Sequence, residues 1–484
     1  MRILVVTGRL ADKIVRESVE NLADVHVCDI DIAAFITPKM LENLDLSHYD
    51  LVLVPGLTKG NDWKSLEDKK GVKIRLGSIH AYDLRYVLKF VDRIEFSHDI
   101  PACRLIEAVK AKEVIREVDE LDSDFVFRIR DVPIGGNSRM KIVAEVVDIN
   151  PEGLMEKIDY YIESGADIID LGIPLEFDTE TINKAIKIAV DYSKVPISID
   201  TFSEKAIAIG VKHGVDMIMS ISYDNLDALG LVEDQAVVVV DRDVNRLIRL
   251  VKRVRDKTDK VIADPVLDPP LNVAKSIVRY VEFREIDKTT PLLFGVGNVT
   301  ELCDADSIGI NALLAFIAEE IGCNLIFTTE ASPKTTGSVK ELRIASYLAK
   351  AAKLRSTTPK DMGISLLVVK EKMKYEELEI PKDFIKASES GEFVRDPFGD
   401  FIIYTSKGKI VCKHDKATIV GRNAKEVIDT ILRLGLVSRL DHAAYLGREL
   451  KKAELAVRLN KNYVQDRELN FGYLNDSIEN FNKI

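Results

Sequence analysis

Eight short apolar runs alternate with helical patterns through the middle of the chain. The runs occupy residues 142–149, 167–172, 196–200, 215–221, 236–240, 260–264, 291–296 and 324–329. The segments with apolar residues at helical spacing include 178–192, 203–213, 242–257, 272–283, 306–321 and 338–353. Strands that are apolar throughout are typical of parallel sheets covered by helices on both faces. The pattern predicts a (β/α)8 TIM barrel over 139–358, and an open doubly wound sheet is the competing architecture.

The segment before the barrel predicts a smaller α/β domain. Its apolar runs lie at 2–7, 25–30 and 51–56, and a helical pattern follows the first of them at 12–22. Continuous apolar strands separated by helices again indicate a parallel sheet. We therefore expect a Rossmann-like or flavodoxin-like domain over 1–138.

The segment after the barrel has a different pattern. Two β-like runs, FIIYTSKG and IVCKHD, precede helical patterns at 424–434 and 441–459. Runs of strands followed by helices are typical of α+β domains. We therefore expect a C-terminal α+β domain over 359–484.

Composition excludes several classes of protein. Hydrophobic residues make up 46% of the 484 and charged residues 30%, which is the composition of a folded globular chain. The net charge of -11 disfavours nucleic acid as the main partner, since a phosphate backbone needs basic residues. No apolar run approaches the roughly 18 residues of a membrane span. The 5 cysteines form no CxxC pair and no secretory signal is visible, so we expect a reducing cytoplasm.

Polar residues lie at or near the predicted strand ends, where a barrel places its active site. The set comprises Asp148, Asn150, Asp170, Asp200, Ser220, Asp264, Asn298 and Glu330. An Asp after a strand can instead cap the next helix, which is the alternative for Asp148 in particular. Several acids at one mouth would repel each other unless they bind a cation or hydrogen-bond donors. The pattern favours a ligand that is rich in N–H groups, such as a flat heterocycle.

Four strings resemble the pterin-binding barrel superfamily, which contains dihydropteroate synthase and the methyltetrahydrofolate-type methyltransferases. They are GADIIDLG, ISIDTFSEKAIAIGVKHGVDMI, IADPVLDP and FGVGNVTE, and the resemblance covers about 140–340. It implies that Asp200 and Asp264 accept hydrogen bonds from the 2-amino and ring N–H groups of a pterin. Asp170, Ser220 and Asn298 complete the predicted pterin-binding set. The family usually has an asparagine at the end of the fourth strand, where this chain has Met219 followed by Ser220.

The stretch GVGN at 295–298 resembles the methyltransferase pattern, which implies that Asn298 faces N5 of the reduced pterin. A methyl group leaves N5 only if N5 becomes protonated, and a neutral amide can accept that N–H. Asn298 is therefore the predicted catalytic residue, with a plain turn asparagine as the alternative. GVGNVTELCDADSIGINALL also resembles a methanogen subunit that uses tetrahydromethanopterin, which favours an archaeal source and this pterin over a folate.

Two other functions remain open at this stage. One is condensation of a pterin-methyl diphosphate with an arylamine, as in dihydropteroate synthase, which would use Mg²⁺. The chain lacks that family's Arg-Lys and Arg-x-His motifs, which leaves Lys334 and Asn150 as candidate anion-binding residues. The other is a pterin-binding protein without catalytic activity. The leading prediction is a transferase of one-carbon (methyl) units.

The whole layout resembles the dihydropteroate-synthase-related proteins of methanogens and methylotrophs. A corrinoid or a methyl-acceptor protein is the candidate partner, and a homodimer is the candidate assembly. In the C-terminal segment, His414 and His442 are candidate ligands of a cobalt or zinc ion, although packing or capping explains them more simply. We assign no metal ligands from the sequence.

Overall fold

The chain forms two compact units, Met1–Lys372 and Met373–Ile484. The computed structural model describes residues 1–174, 176–372, 380–388 and 394–472. The division into three domains at 138 and 358 stays a prediction, and the last residues of the third, 473–484, lie outside the described part. No helix among the described residues combines the length and the apolar character that crossing a membrane requires.

The first unit begins with a four-stranded parallel sheet. Its strands are β1 (Ile3–Thr7), β2 (Asp24–Val27), β3 (Leu51–Val54) and β4 (Lys73–Leu76), in the order β2-β1-β3-β4. The helices of this segment are α1 (Asp12–Val19), α2 (Pro38–Leu41), α3 (Trp63–Lys70), α4 (Leu84–Lys89) and α5 (Ala102–Asp119). Apolar clusters cover both faces of the sheet, so its central strands are buried along their whole length. The prediction of an N-terminal parallel α/β fold is confirmed.

Eight parallel strands follow and form the barrel. They are β7 (Lys141–Val146), β8 (Ile168–Gly172), β9 (Ile197–Asp200), β10 (Met217–Ile221), β11 (Ala236–Val240), β12 (Val261–Asp264), β13 (Leu293–Gly295) and β14 (Leu325–Thr329). A parallel bridge between Ala263 and Leu292 joins β12 to the segment before β13 and closes the sheet. The predicted (β/α)8 barrel is confirmed, and the open sheet is excluded.

Helices alternate with these strands and surround the barrel. They are α6 (Leu154–Ser164), α7 (Thr179–Tyr192), α8 (Glu204–His213), α9 (Val244–Arg255), α10 (Val273–Ile286), α11 (Gly297–Thr300), α12 (Ser307–Ile321) and α13 (Ser338–Leu354). After the fourth strand, a 3-10 segment, Tyr223–Leu231, replaces the α-helix. The strands and helices bury their facing apolar side chains in the largest hydrophobic cluster of the unit.

A short antiparallel hairpin covers the amino-terminal end of the barrel. It consists of β5 (Phe127–Ile129) and β6 (Val132–Ile134). Its side chains share a cluster with inward-facing residues of the strands, including Val143, Ile168 and Met217. Since this end is filled with apolar side chains, the carboxyl end is the one that remains for a ligand.

The second unit contains an antiparallel sheet and two helices. The strands are β15 (Ile402–Ser406), β16 (Lys409–His414) and β17 (Ala417–Gly421), and the helices are α14 (Ala424–Arg433) and α15 (Leu440–Arg458). They pack around a common core that includes Ile403, Ile410 and Leu450. The predicted α+β fold is confirmed. The third strand, β17, was absent from the prediction because the polar turn before it leaves only a short alternating run.

Candidate functional site

Three carboxylates lie next to each other inside the barrel. They belong to residues on successive strands, Glu145, Asp170 and Asp200. Three of their oxygens, one from each residue, lie within 4.8 Å of one another. In the sheet register Glu145 is opposite Asp170, and Asp200 is opposite Gly172, one inward-facing position nearer the carboxyl end. We call this group the acid triad. Its members meet because alternate residues of each strand point into the barrel.

Asp170 lies in the middle of β8 rather than at its end, and its side chain is fully buried. The Ser198 hydroxyl donates to its Oδ1, while Oδ2 has no hydrogen-bond partner among the described residues. Burial raises the pKa of Asp170 well above its usual range, and the charges of Asp200 and Glu145 add to this effect. A buried carboxylate oxygen without a partner is energetically costly, so a proton, a cation or a donor group is needed beside it.

Glu145 is a member of the site that the sequence did not reveal. The first barrel strand was predicted to extend over 142–149, but it ends at Val146; Val147 is exposed, and Asp148 has a left-handed backbone with φ 48°. The inward-facing acid nearest the strand end is therefore Glu145. Burial raises its pKa to about 7, and the charges of Asp200, Asp148 and Glu301 act in the same direction. Side chains alternate along a strand, and Glu145 follows the inward-facing Val143 by two residues. This spacing is the signal that could have identified Glu145.

Asp200 ends β9, as predicted, and it is joined to Ser220 on the next strand. The Ser220 hydroxyl donates to Asp200 Oδ1 at 2.6 Å. Ser220 has a φ of 70° beside an irregularity in the pairing of β10 with β11, which directs its hydroxyl towards Asp200. Burial raises the pKa of Asp200. Its Oδ2 accepts no hydrogen bond from the described residues and is open to a ligand.

Asp264 ends β12 and is held by two donors. The Val266 N–H and the Tyr280 hydroxyl both donate to its Oδ1 at 2.8 Å. Burial raises the pKa of Asp264 to about 6, although both donors oppose this rise. Arg279 donates to the carbonyl oxygens of Pro265 and Val266 and thereby fixes the loop after the strand. No described donor contacts Oδ2 of Asp264, so this oxygen also remains for a ligand.

Asn298 lies at the start of α11, directly after the seventh strand of the barrel, and is exposed. Its Nδ2 donates to the carbonyl oxygen of Leu267 at 2.8 Å. A Cβ at Gly295 would lie 3.1 Å from that Nδ2, so glycine at 295 leaves the room the amide occupies. Because a carbonyl oxygen can only accept a hydrogen bond, the amide is oriented with Nδ2 towards Leu267 and with Oδ1 available as an acceptor. The predicted catalytic role of Asn298 stays a prediction.

Met219 occupies the interior, with its sulfur 3.8 Å from the Ser198 hydroxyl. An amide that the sequence did not single out, Asn225, contacts this strand end. Asn225 is buried, donates to the Ser220 carbonyl at 3.2 Å and accepts from the Ser222 N–H at 2.8 Å. Its role here is to hold the backbone that positions Ser220.

The two candidate anion-binding residues have partners of their own. Asn150 accepts from the Glu152 N–H at 3.0 Å and borders a depression that also contains Asp178, Glu180 and Lys184. Lys334 donates to Asp304 at 2.8 Å. Glu330 accepts from the Tyr160 hydroxyl and from the N–H of Val339 at the start of α13, which indicates a structural role. Binding of an anion by Asn150 and Lys334 stays a prediction.

The two histidines of the second unit are both engaged. His414 Nδ1 accepts from the Lys416 N–H, so Nε2 carries the proton and donates to the Phe398 carbonyl. His442 Nδ1 lies 3.1 Å from the buried carboxylate of Asp396. His414 therefore has no nitrogen left for a metal ion.

A family model and a relative in sequence both match this chain. A family model described as PterinBD-DUF4346 matches residues 395–466. The chain is 37% identical over 525 aligned positions to the "Uncharacterized protein MJ0107" of Methanocaldococcus jannaschii, covering 97% of this chain and 99% of that protein.

Solved structures of dihydropteroate synthases also match. The enzyme from Yersinia pestis matches with a TM-score of 0.37 and 18% identity, over 45% of this chain and 95% of that one. The enzyme from Vibrio fischeri ES114 matches with a TM-score of 0.39 and 16% identity, over 46% and 95%. The pterin-binding name of that family model and the eight-stranded barrel agree with the predicted resemblance to the pterin-binding barrel superfamily; the matched residues themselves lie in the second unit, outside the barrel.

Proposed function

The chain belongs to the family of the Methanocaldococcus jannaschii protein MJ0107, and we propose that it is a transferase that moves a methyl group to or from a reduced pterin bound in the barrel mouth. Tetrahydromethanopterin is the pterin that we propose. The observation that carries the proposal is the pair Asp200 and Asp264. Both are inward-facing strand-end acids, and each has one oxygen fixed by a hydroxyl donor.

The pair suits the donor edge of a pterin. The 2-amino group and the ring N–H groups are donors, and a carboxylate offers two oxygens that only accept. Burial raises the pKa of both acids because it disfavours their charged forms. A ligand that donates hydrogen bonds to the charged carboxylates offsets this cost. The fixed oxygens orient the carboxylates in advance, which lowers the cost of ordering them on binding.

Asn298 supports methyl transfer as the reaction. When an acceptor attacks the methyl carbon, the N5–C bond breaks, the electron pair stays on N5, and N5 takes up a proton from solvent. The Leu267 carbonyl holds the amide nitrogen, which leaves the amide oxygen to accept that N5–H. A neutral oxygen stabilises the protonated product without a charge that would compete for the methyl group.

Methyl transfer is preferred to condensation for a reason of charge. A diphosphate leaving group needs basic side chains to hold it, in addition to any metal ion. Lys334, the candidate in this chain, donates to Asp304. The methyl acceptor that we propose is a thiol or a corrinoid carried by another molecule.

Binding and turnover test the proposal. Calorimetry with tetrahydromethanopterin, its N5-methyl derivative and the pterin-methyl diphosphate with Mg²⁺ should show binding of the first two. A ligand at 100 times its Kd should raise the free energy of unfolding by roughly 2.7 kcal/mol. Methyl transfer to a thiol or corrinoid acceptor should then be detected. Condensation of the diphosphate with an arylamine would replace the proposal, and failure to bind any reduced pterin would overturn it.

A further inference from the structure

We propose that the acid triad, Glu145, Asp170 and Asp200, binds a divalent cation beneath the mouth of the barrel. The cation belongs to the class that prefers oxygen ligands, which includes Mg²⁺, Mn²⁺ and Ca²⁺. The observations behind this proposal do not involve the pterin, although Asp170 and Asp200 also belong to the predicted pterin-binding set.

The first observation is geometric. One oxygen from each acid lies within 4.8 Å of the other two. Oxygens on opposite sides of a hard cation with bonds of about 2.1–2.5 Å are roughly 4–5 Å apart. The three oxygens are therefore close enough together to bind a single ion, and an all-carboxylate set favours this class over Zn²⁺ or Cu²⁺.

The second observation is a buried oxygen without a partner. Asp170 has no exposed surface, and within the described chain its Oδ2 receives no hydrogen bond. Its Oδ1 is bound by Ser198, which fixes the orientation of the carboxylate. A second layer of donors that orients a ligand while leaving one oxygen open is typical of metal sites.

The third observation is the balance of charge. The ion pairs of the described residues include no Lys, Arg or His partner for any member of the triad. The neighbouring charges that act on Glu145 are those of Asp200, Asp148 and Glu301, all negative. Ser198 and Ser220 supply dipoles but no positive charge. A divalent cation supplies the missing charge.

Binding of Mn²⁺ alone tests the proposal on the full-length chain. After treatment with EDTA, electron paramagnetic resonance at pH 7.5 should detect one bound Mn²⁺ per chain, and Mg²⁺ or Ca²⁺ should displace it. Glu145→Gln and Asp170→Asn should weaken Mn²⁺ binding by on the order of 10- to 100-fold or more. Asp264→Asn is the matched control: it removes a buried acid of the same mouth whose oxygens lie outside the triad, and it should weaken Mn²⁺ binding far less than the triad substitutions do.

Thermal unfolding in EDTA shows whether the variants fold. Glu145→Gln and Asp170→Asn should be at least as stable as the parent without metal, since each removes one of three like charges. Mn²⁺ should raise the Tm of the parent and not of these two variants. A parent that binds no Mn²⁺, or Mn²⁺ binding that survives both triad substitutions or is lost in Asp264→Asn, would overturn the proposal.

The pterin proposal is tested separately by measuring pterin binding with and without EDTA. If no pterin binds while Mn²⁺ binds at the triad, the proposed function is wrong and the cation site stands. The opposite result rejects the cation site and retains the proposed function.

Discussion

Gly172 leaves the space that the carboxylate of Glu145 fills. A Cβ at Gly172 would lie 2.5 Å from Glu145 Oε1, closer than a carbon and an oxygen can approach without a bond. The two residues are on neighbouring strands, so the absence of one side chain admits the other into the barrel. The acid triad therefore depends on a glycine as well as on its three acids.

Gly172→Ala should displace the Glu145 carboxylate, which is the end of a flexible side chain, at a small cost to the stability of the fold. Because that carboxylate can move, the loss should lie at or below the low end of the about 1–3 kcal/mol that overpacking costs, and urea unfolding measures it. Gly309→Ala is the control, because Gly309 lies within α12 and a Cβ there meets no atom within 4 Å. That change should stabilise by roughly 0.5–1 kcal/mol. A crystal structure of Gly172→Ala with the Glu145 carboxylate in its original place would contradict the close approach.

Asp200→Asn and Asp264→Asn should each weaken binding of a reduced pterin while the fold stays intact. An amide can direct a donor at the N–H groups of the ligand, which costs roughly 1–3 kcal/mol, or about 5- to 150-fold in Kd. Calorimetry measures the affinity. Asp243→Asn is the control, since Asp243 caps α9 and Asn is an equally good cap. Parent-like affinity in both site variants would show that these acids do not contact the pterin.

Asn298→Ala should slow methyl transfer by about 10- to 1000-fold, on the order of 1.4–4 kcal/mol of transition-state stabilisation. Affinity for the methyl-pterin should fall much less, because N5 carries its proton only as the reaction proceeds. Lys334→Ala provides the contrast, since a condensing enzyme would depend on it more than on Asn298. Single-turnover rates with each substrate pair separate the two. Unchanged methyl transfer in Asn298→Ala would remove the assigned role.

Stability should fall as pH rises through the range in which Glu145 ionises. Burial raises the pKa of Glu145 from its ordinary 4.5 to about 7 in the folded state. Between these values the folded state holds a proton that the unfolded state has lost, so the free energy of unfolding decreases with increasing pH. The full effect is roughly 3 kcal/mol, present below pH 4.5 and lost by about pH 7.

Urea unfolding in EDTA across pH 4.5 to 7.5 checks this pH dependence. Glu145→Gln cannot ionise at this position, so its stability should decline less over the same range than that of the parent. Parallel curves for the two proteins would show that Glu145 is not the group that titrates.

The pattern of apolar residues was sufficient to predict the barrel. The predicted runs and the observed strands differ by three residues or fewer at each end, because a buried parallel strand is apolar over its own length and that signal is local. Asp200 and Asp264 were identified for the same reason, since each directly ends such a run.

The acid triad was decided by the tertiary structure. The apolar run after Glu145 continues past the end of β7, so the sequence alone directed attention to Asp148 and Asn150. Asp170 was identified as a strand-end acid, but it is enclosed in mid-strand and contacts its neighbours in the barrel. Which inward-facing side chains meet depends on the register between strands, and on Gly172 leaving space for Glu145. Local sequence determines where a strand runs, whereas the register that aligns three strands arises only when the sheet closes.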